Sequence, residues 1–247
     1  ICATLVALLQ LRATTLSVAA LVDAAYVAEH TVLGVPSGRL DQHAIVETPD
    51  GGAVLLDCAT DSATPIAWGI TGAALCVCDT GERHSVAGPG YRTRRAETEA
   101  ALRAAGAATI MEIAAPPEGA DIAARRLRHA VTESRRAAEA AAALRAGDSR
   151  VLGRLMSESH RSLREDAEVS TATLDTVVAA AQAVPGCFGA RLVGAGFGGS
   201  VLALTGGDAA AACIDAMLEA AGPGASAWVV APAAGLAITA GATVTRR

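Results

Sequence analysis

GARLVGAGFGGSV, Gly189 to Val201, places two strand-like runs on either side of a cluster of glycines. Ala190-Arg191-Leu192-Val193 alternates as a half-buried strand does, and Val201-Leu202-Ala203-Leu204 is continuously apolar. Glycine clustered beside a strand is entropically unfavourable. The bare backbone therefore answers a need for positive φ, for close approach of another chain segment, or for close approach of a phosphate. Gly-x-Gly-x-Gly-Gly fits an ordinary hairpin turn as well as it fits a phosphate-adjacent loop. After it come a helical stretch from Asp208 to Ala220 and a strand at Ala225–Val230, so the chain closes as β-turn-β, helix, β.

Before the motif, Ser170 or Thr171 can cap a helix reaching Ala183, and helical patterns cover 92–105, 121–144 and 148–165. Ala53–Cys58, Pro65–Trp68 and Ala73–Cys78 read as strands. At the start, 1–12 and 17–29 read as helices, the second capped by Ser17. Gly34 to Gly38 is a turn, with Ser37 the candidate cap of a short helix carrying Asp41 and Gln42. Helices segregated from a mixed sheet give an α+β fold in two layers, with a domain boundary that divides 1–66 from 67–247.

The composition narrows the function classes. With 247 residues, 52% of them hydrophobic and alanine the commonest, the chain can bury a sizeable core and is not disordered. A net charge of −5 and scattered arginines argue against a nucleic-acid partner. Lysine is absent, which excludes a Walker A phosphate loop and Schiff-base chemistry. The six cysteines form no CxxC pair and the five histidines stand singly. Buried apolar thiols in a reduced, cytoplasmic protein are the expectation, and no metal-ligand spacing appears. Ile1 to Leu9 is too short to span a membrane, and it lacks the basic start of a signal peptide. The absent initiator methionine suggests a chain cut from something longer.

Four segments can carry chemistry. Asp41, just after Gly38 and at the first turn of a helix, is held ionised by the helix dipole; it suits a general base and a plain helix cap alike. Glu29 ends a helix, where a carboxylate either points to water or meets a cation. Tyr91, flanked by Gly90, can stack on a sugar or plug the top of its helix. Arg125 to Arg136 reads as a solvated helix face rather than an anion site. Ser159, His160 and Asp166 share one helix with no nucleophile elbow, so a catalytic triad is discounted.

In order along the chain, these segments resemble the GHMP sugar kinases and, within them, the galactokinases. Gly189 to Gly199 is similar to the family's third signature motif. Glu29 followed by Gly38-Arg39-Leu40-Asp41-Gln42 is similar to its segment with the catalytic aspartate, and Gly52–Cys58 to the strand after it. Arg83 to Arg95, Arg128 to Glu133 and Ser159 to Arg164 also fit. The resemblance implies a partial ribosomal-protein-S5-like N-terminal domain and a ferredoxin-like C-terminal domain. It also implies ATP-dependent phosphorylation of galactose at its anomeric hydroxyl. Asp41 would be the base, Glu29 the Mg2+ ligand, and Gly38, Asp41 and Tyr91 the sugar contacts. Gly194, Gly196, Gly198 and Gly199 would lie beside ATP. The partners implied are a small-molecule sugar and ATP, with no nucleic acid and no membrane. The oligomeric state stays open.

The family's first motif and its serine-rich phosphate loop have no counterpart, so residues 1–247 alone are expected to be inactive. Arg39 and Leu40 replace two apolar residues, and Ala167 a common tyrosine. Arg39 can depress the pKa of the base or contact a different sugar, such as an arabinose, a galacturonate or a heptose. A non-catalytic sugar sensor is the remaining alternative.

Overall fold

The structure is a computed structural model that describes residues 1–32, 34, 37–83 and 89–237. The chain divides into two compact units, Ile1–Ala67 with the tail from Pro232, and Trp68–Ala231. Residues 232–237, grouped with the second domain from sequence, return to the first unit. The Gly235 N–H donates to the Thr48 carbonyl (2.8 Å) and the Leu236 N–H to the Ile45 carbonyl (2.6 Å). The physical reason is that a helix end leaves its last carbonyls unpaired, and the tail supplies donors to them.

The first unit contains α1 (Cys2–Leu11), α2 (Val18–Val27), α3 (Leu40–Glu47) and a hairpin of β1 (Gly52–Asp57) with β2 (Ser62–Ala67). Ser17 caps α2 as expected, accepting the Ala20 N–H at 3.2 Å. Leu21, Val22 and Ala25 form the buried stripe of α2, which continues into one π-helical turn, Ala28–Val32. Ser37 does not cap α3. Arg39 occupies the cap position, without a side-chain hydrogen bond to the helix. The hairpin pairs antiparallel from Gly52↔Ala67 to Asp57↔Ser62, and Asp61 at its tip takes φ +53°.

In the second unit, β3 (Ala73–Asp79) is followed by the helices α4 (Pro89–Ala104), α5 (Ile122–Ala146), α6 (Ser149–Glu165) and α7 (Ala172–Ala183). Then come β4 (Cys187–Val193), β5 (Ser200–Gly206), α8 (Ala210–Ala221) and β6 (Ser226–Val230). The sheet order is β4-β5-β3-β6 with every neighbour antiparallel. The first and third strands are central, which is the ferredoxin-like arrangement. Asp121, Asp148 and Thr171 cap α5, α6 and α7 through their side chains. The core combines Cys76, Cys78, Ala190, Leu192, Val201 and Ala203 of the sheet with Leu174, Val177, Cys213 and Met217 of the helices. Small residues let the layers approach closely: a Cβ on Gly189 of β4 would stand 1.8 Å from the Gly153 carbonyl oxygen in α6.

The arginine-rich face of α5 is only partly solvated, which corrects the sequence expectation: Arg135 is exposed, whereas Arg126 is buried. Arg126 is 2% exposed and donates to Glu97 of α4 at 2.7 Å, to Glu168 at 2.6 Å and to the Asp166 carbonyl. Arg128 pairs with Asp166 and Arg125 with Glu168. A buried guanidinium requires partners for its donors, and these carboxylates supply them. Burial raises the Glu97 carboxyl, but Arg126 and Arg94 outweigh it and hold it below the usual range; Arg126 does the same for Glu168. Both depressed carboxyls contribute stability above their unfolded pKa of about 4.3, and that contribution disappears as pH falls through their folded values. These two carboxyls are therefore expected to make the melting temperature fall as pH drops below about 4. Glu97→Gln should flatten that fall. An equally steep acid limb in the variant would remove Glu97 from the explanation.

Of the cysteines, Cys2, Cys76, Cys78 and Cys213 are buried as expected, whereas Cys58 is exposed beside the β1–β2 turn and Cys187 is half-buried. No helix among the described residues is long and apolar enough to cross a membrane.

Candidate functional site

Glu29 sits in the π-helical turn that follows α2. The Gln42 Nε2 of α3 donates to its Oε2 at 2.5 Å, which ties the end of α2 to the first turn of α3. Gln42 is 4% exposed, and its Oε1 has no hydrogen-bond partner among the described residues. The next residue back, Asp41, is exposed in the same turn and has no hydrogen-bond partner there. A carboxylate at a helix start, beside unpaired amides and open to solvent, is free to accept a proton from an incoming hydroxyl. Glu29 and the Gln42 carbonyl oxygen are hard donors of the kind magnesium takes.

Arg39 is engaged by acidic and aromatic neighbours in its own unit. Its Nη1 donates to Asp23 (2.5 Å) and Asp61 (2.7 Å), and its guanidinium lies 4.6 Å over the Tyr26 ring. Tyr26 in turn stacks on His30. At Gly38 a Cβ would meet nothing within 4 Å, so local packing does not demand glycine there. Val35 and Pro36 of the expected turn lie outside the described residues.

The second unit holds the glycine loop. Residues 194–199 connect β4 to β5, and Gly194, Gly196, Phe197, Gly198 and Gly199 all take positive φ. This run is longer than a two-residue hairpin turn. Gly196 shows the demand best. Its φ is +80°, and a Cβ there would lie 2.4 Å from the Val169 carbonyl oxygen, the same oxygen that accepts the Phe197 N–H at 2.6 Å. At Gly199 the space is open instead, with nothing within 4 Å of a Cβ. Its carbonyl accepts from the Thr80 N–H (3.0 Å) and hydroxyl (2.7 Å), and its N–H donates to the Glu82 carbonyl. The Glu82 carboxylate accepts the hydroxyls of Thr171 and Thr173. Asp79, one residue before Thr80, is lowered to about 2 by Arg83 and the Gly81 amide.

The loop also meets the start of α4. A Cβ on Gly90 would stand 2.9 Å from the Phe197 ring, which explains the glycine beside Tyr91. Tyr91 lies within the first turn of α4, which begins at Pro89 and not at residue 92. Positions 84–88 of the matching segment lie outside the described residues. Thus Tyr91 and the glycine loop share the second unit, while Glu29, Gly38 and Asp41 share the first. Thr80 and Glu82 escaped the sequence reading because nothing local distinguishes them from an ordinary turn.

The discounted triad is dispersed. Ser159 donates to Glu133 (2.6 Å), His160 Nε2 lies 3.2 Å from Asp175, and Asp166 binds Arg128. Burial raises the Glu133 carboxyl, but the Ser159 hydroxyl, with Arg191 and Arg136, outweighs it and keeps Glu133 ionised.

Comparison with known proteins bears on both units. Residues 140–224 match the family described as GHMP kinases C terminal. The chain is 43% identical to the galactokinase of Homo sapiens over 183 residues, 72% of this chain and 47% of that protein. It is 42% identical to the galactokinase of Chloroflexus aggregans over 192 residues, 72% of this chain and 48% of that protein. The chain thus spans about half the length of the curated relatives it matches. Lactococcus lactis galactokinase, solved in complex with galactose, superposes with a TM-score of 0.84 at 30% identity, over 93% of this chain and 63% of that one.

Proposed function

We propose that this chain, which carries the GHMP kinase fold and is related to the galactokinases, contributes to ATP-dependent phosphorylation of galactose at its anomeric hydroxyl. The observation that carries the reading is Asp41. It is exposed and without a hydrogen-bond partner among the described residues, at the start of a helix whose next residue grips Glu29. In this proposal the anomeric hydroxyl gives its proton to Asp41 as its oxygen attacks the γ-phosphorus of ATP, and ADP leaves. Glu29, with the Gln42 carbonyl oxygen, would hold Mg2+, which when bound neutralises charge on the transferring phosphoryl group. Gly38 and Tyr91 would contact the sugar. Gly194, Gly196, Gly198 and Gly199 keep side chains away from the backbone on which ATP would lie.

The 43% identity to human galactokinase supports galactose over other sugars. Arg39 does not favour a different sugar, because Asp23, Asp61 and Tyr26 already engage its guanidinium. A sugar panel tests the choice. Galactose, arabinose and galacturonate are each offered with ATP and magnesium to residues 1–247 and to a chimera with the N-terminal half of the human relative ahead of Ile1. Galactose should be the best acceptor for the chimera, and the chain alone should show no turnover. Faster phosphorylation of arabinose or galacturonate would overturn the assignment of galactose. A folded chimera that binds galactose without transferring phosphate to any sugar would favour a sensor.

A further inference from the structure

We propose that Asp61, at the tip of the β1–β2 hairpin, is a positioning residue that fixes the first turn of α3, and Asp41 within it, by holding that turn at both ends. One carboxylate oxygen of Asp61 accepts from Arg39 Nη1 at 2.7 Å, and the other lies 3.1 Å from His43 Nε2. Arg39 and His43 are also the two ends of the first hydrogen bond of α3, from the His43 N–H to the Arg39 carbonyl (3.1 Å). Asp41 lies midway between them. The carboxylate therefore spans the turn that carries the proposed base, and the inference rests on that reading of Asp41.

Two features of the chain make such a grip necessary. The helix α3 has eight residues and no side-chain cap, too short to be stable through its own hydrogen bonds. In addition, Asp61 takes φ +53°, a left-handed conformation that glycine adopts freely and that asparagine and aspartate adopt more readily than other residues. Glycine and asparagine would meet the same backbone demand, and of the three only the aspartate supplies two anionic oxygens. The other ends of the grip are tied as well. Arg39 is shared with Asp23 and lies over Tyr26, and His43 Nδ1 lies 2.6 Å from Glu47.

Asp61→Gly and Asp61→Asn separate this role from that of a plain turn, because both residues tolerate positive φ and neither provides two anionic oxygens. Hydrogen exchange of the His43, Ala44 and Ile45 amides in residues 1–247 should accelerate about tenfold or more in both variants. The Leu174 to Val178 amides of α7 should keep their protection. Unchanged exchange at His43 to Ile45 in either variant would overturn the grip, as would equal loss of protection in α7. In the galactose assay of the chimera, both variants should lower kcat about tenfold while leaving the KM for ATP unchanged. Normal kcat in both would show that the grip does not position Asp41. A parent without phosphotransfer would count against the kinase reading alone, since the exchange result is obtained without it.

Discussion

Gly189→Ala should destabilise the second unit more than any other single-methyl addition in the glycine motif. The new Cβ would lie 1.8 Å from the Gly153 carbonyl oxygen and 2.4 Å from its carbonyl carbon, so backbone would meet backbone with no side chain able to yield. Overpacking a core typically costs about 1–3 kcal/mol, and a clash between two fixed backbones belongs at or above the top of that range. For a chain of this size each kcal/mol lowers the melting temperature by about 2–4 °C, so a fall of at least about 6–12 °C is expected in a thermal melt. Gly194→Ala is the matched control. Nothing stands within 4 Å of its Cβ, and only its φ of +84° opposes the change, at about 1 kcal/mol. Equal melting temperatures for the two variants would refute the close α6–β4 approach. Gly153 sits inside α6, where alanine would be favoured by about 1 kcal/mol on helix propensity. It stays glycine because of the strand beneath it.

Asp41→Asn should abolish phosphate transfer while leaving the fold intact. Asparagine keeps the size of the side chain and loses its basicity, and general-base assistance is worth about 10²–10⁴ in rate. A fall of about 10³ in kcat is expected, with little change in the KM for ATP. Because Asp41 is exposed and has no hydrogen-bond partner among the described residues, the melting temperature should move by no more than about 2 °C. A large loss of stability alongside the loss of rate would mean that Asp41 serves the fold and not the chemistry.

Much of this arrangement is legible in the sequence because its determinants are local. The alternation around Gly189–Val201, the caps Ser17, Asp121, Asp148 and Thr171, and the glycines at positive φ act within a few residues of themselves. What was misread depends on distant partners. Arg126 bonds to Glu97 and Glu168, 29 and 42 positions away, and an arginine-rich helix reads the same whether its face is wet or buried. Arg39 likewise donates to Asp23 and Asp61, 16 and 22 positions away, partners that its own segment does not reveal. The surroundings of Glu29 are not legible from its own segment, because the Gln42 amide that holds it lies 13 positions further on.

Phosphate transfer from ATP to galactose, followed by the phosphorus resonance of galactose 1-phosphate, tests the role of Asp41 directly when the chimera and its Asp41→Asn variant are compared at equal folded concentration. The product resonance should grow steadily with the parent and stay at the uncatalysed level with the variant. Comparable growth in both would contradict the assignment of Asp41 as the base.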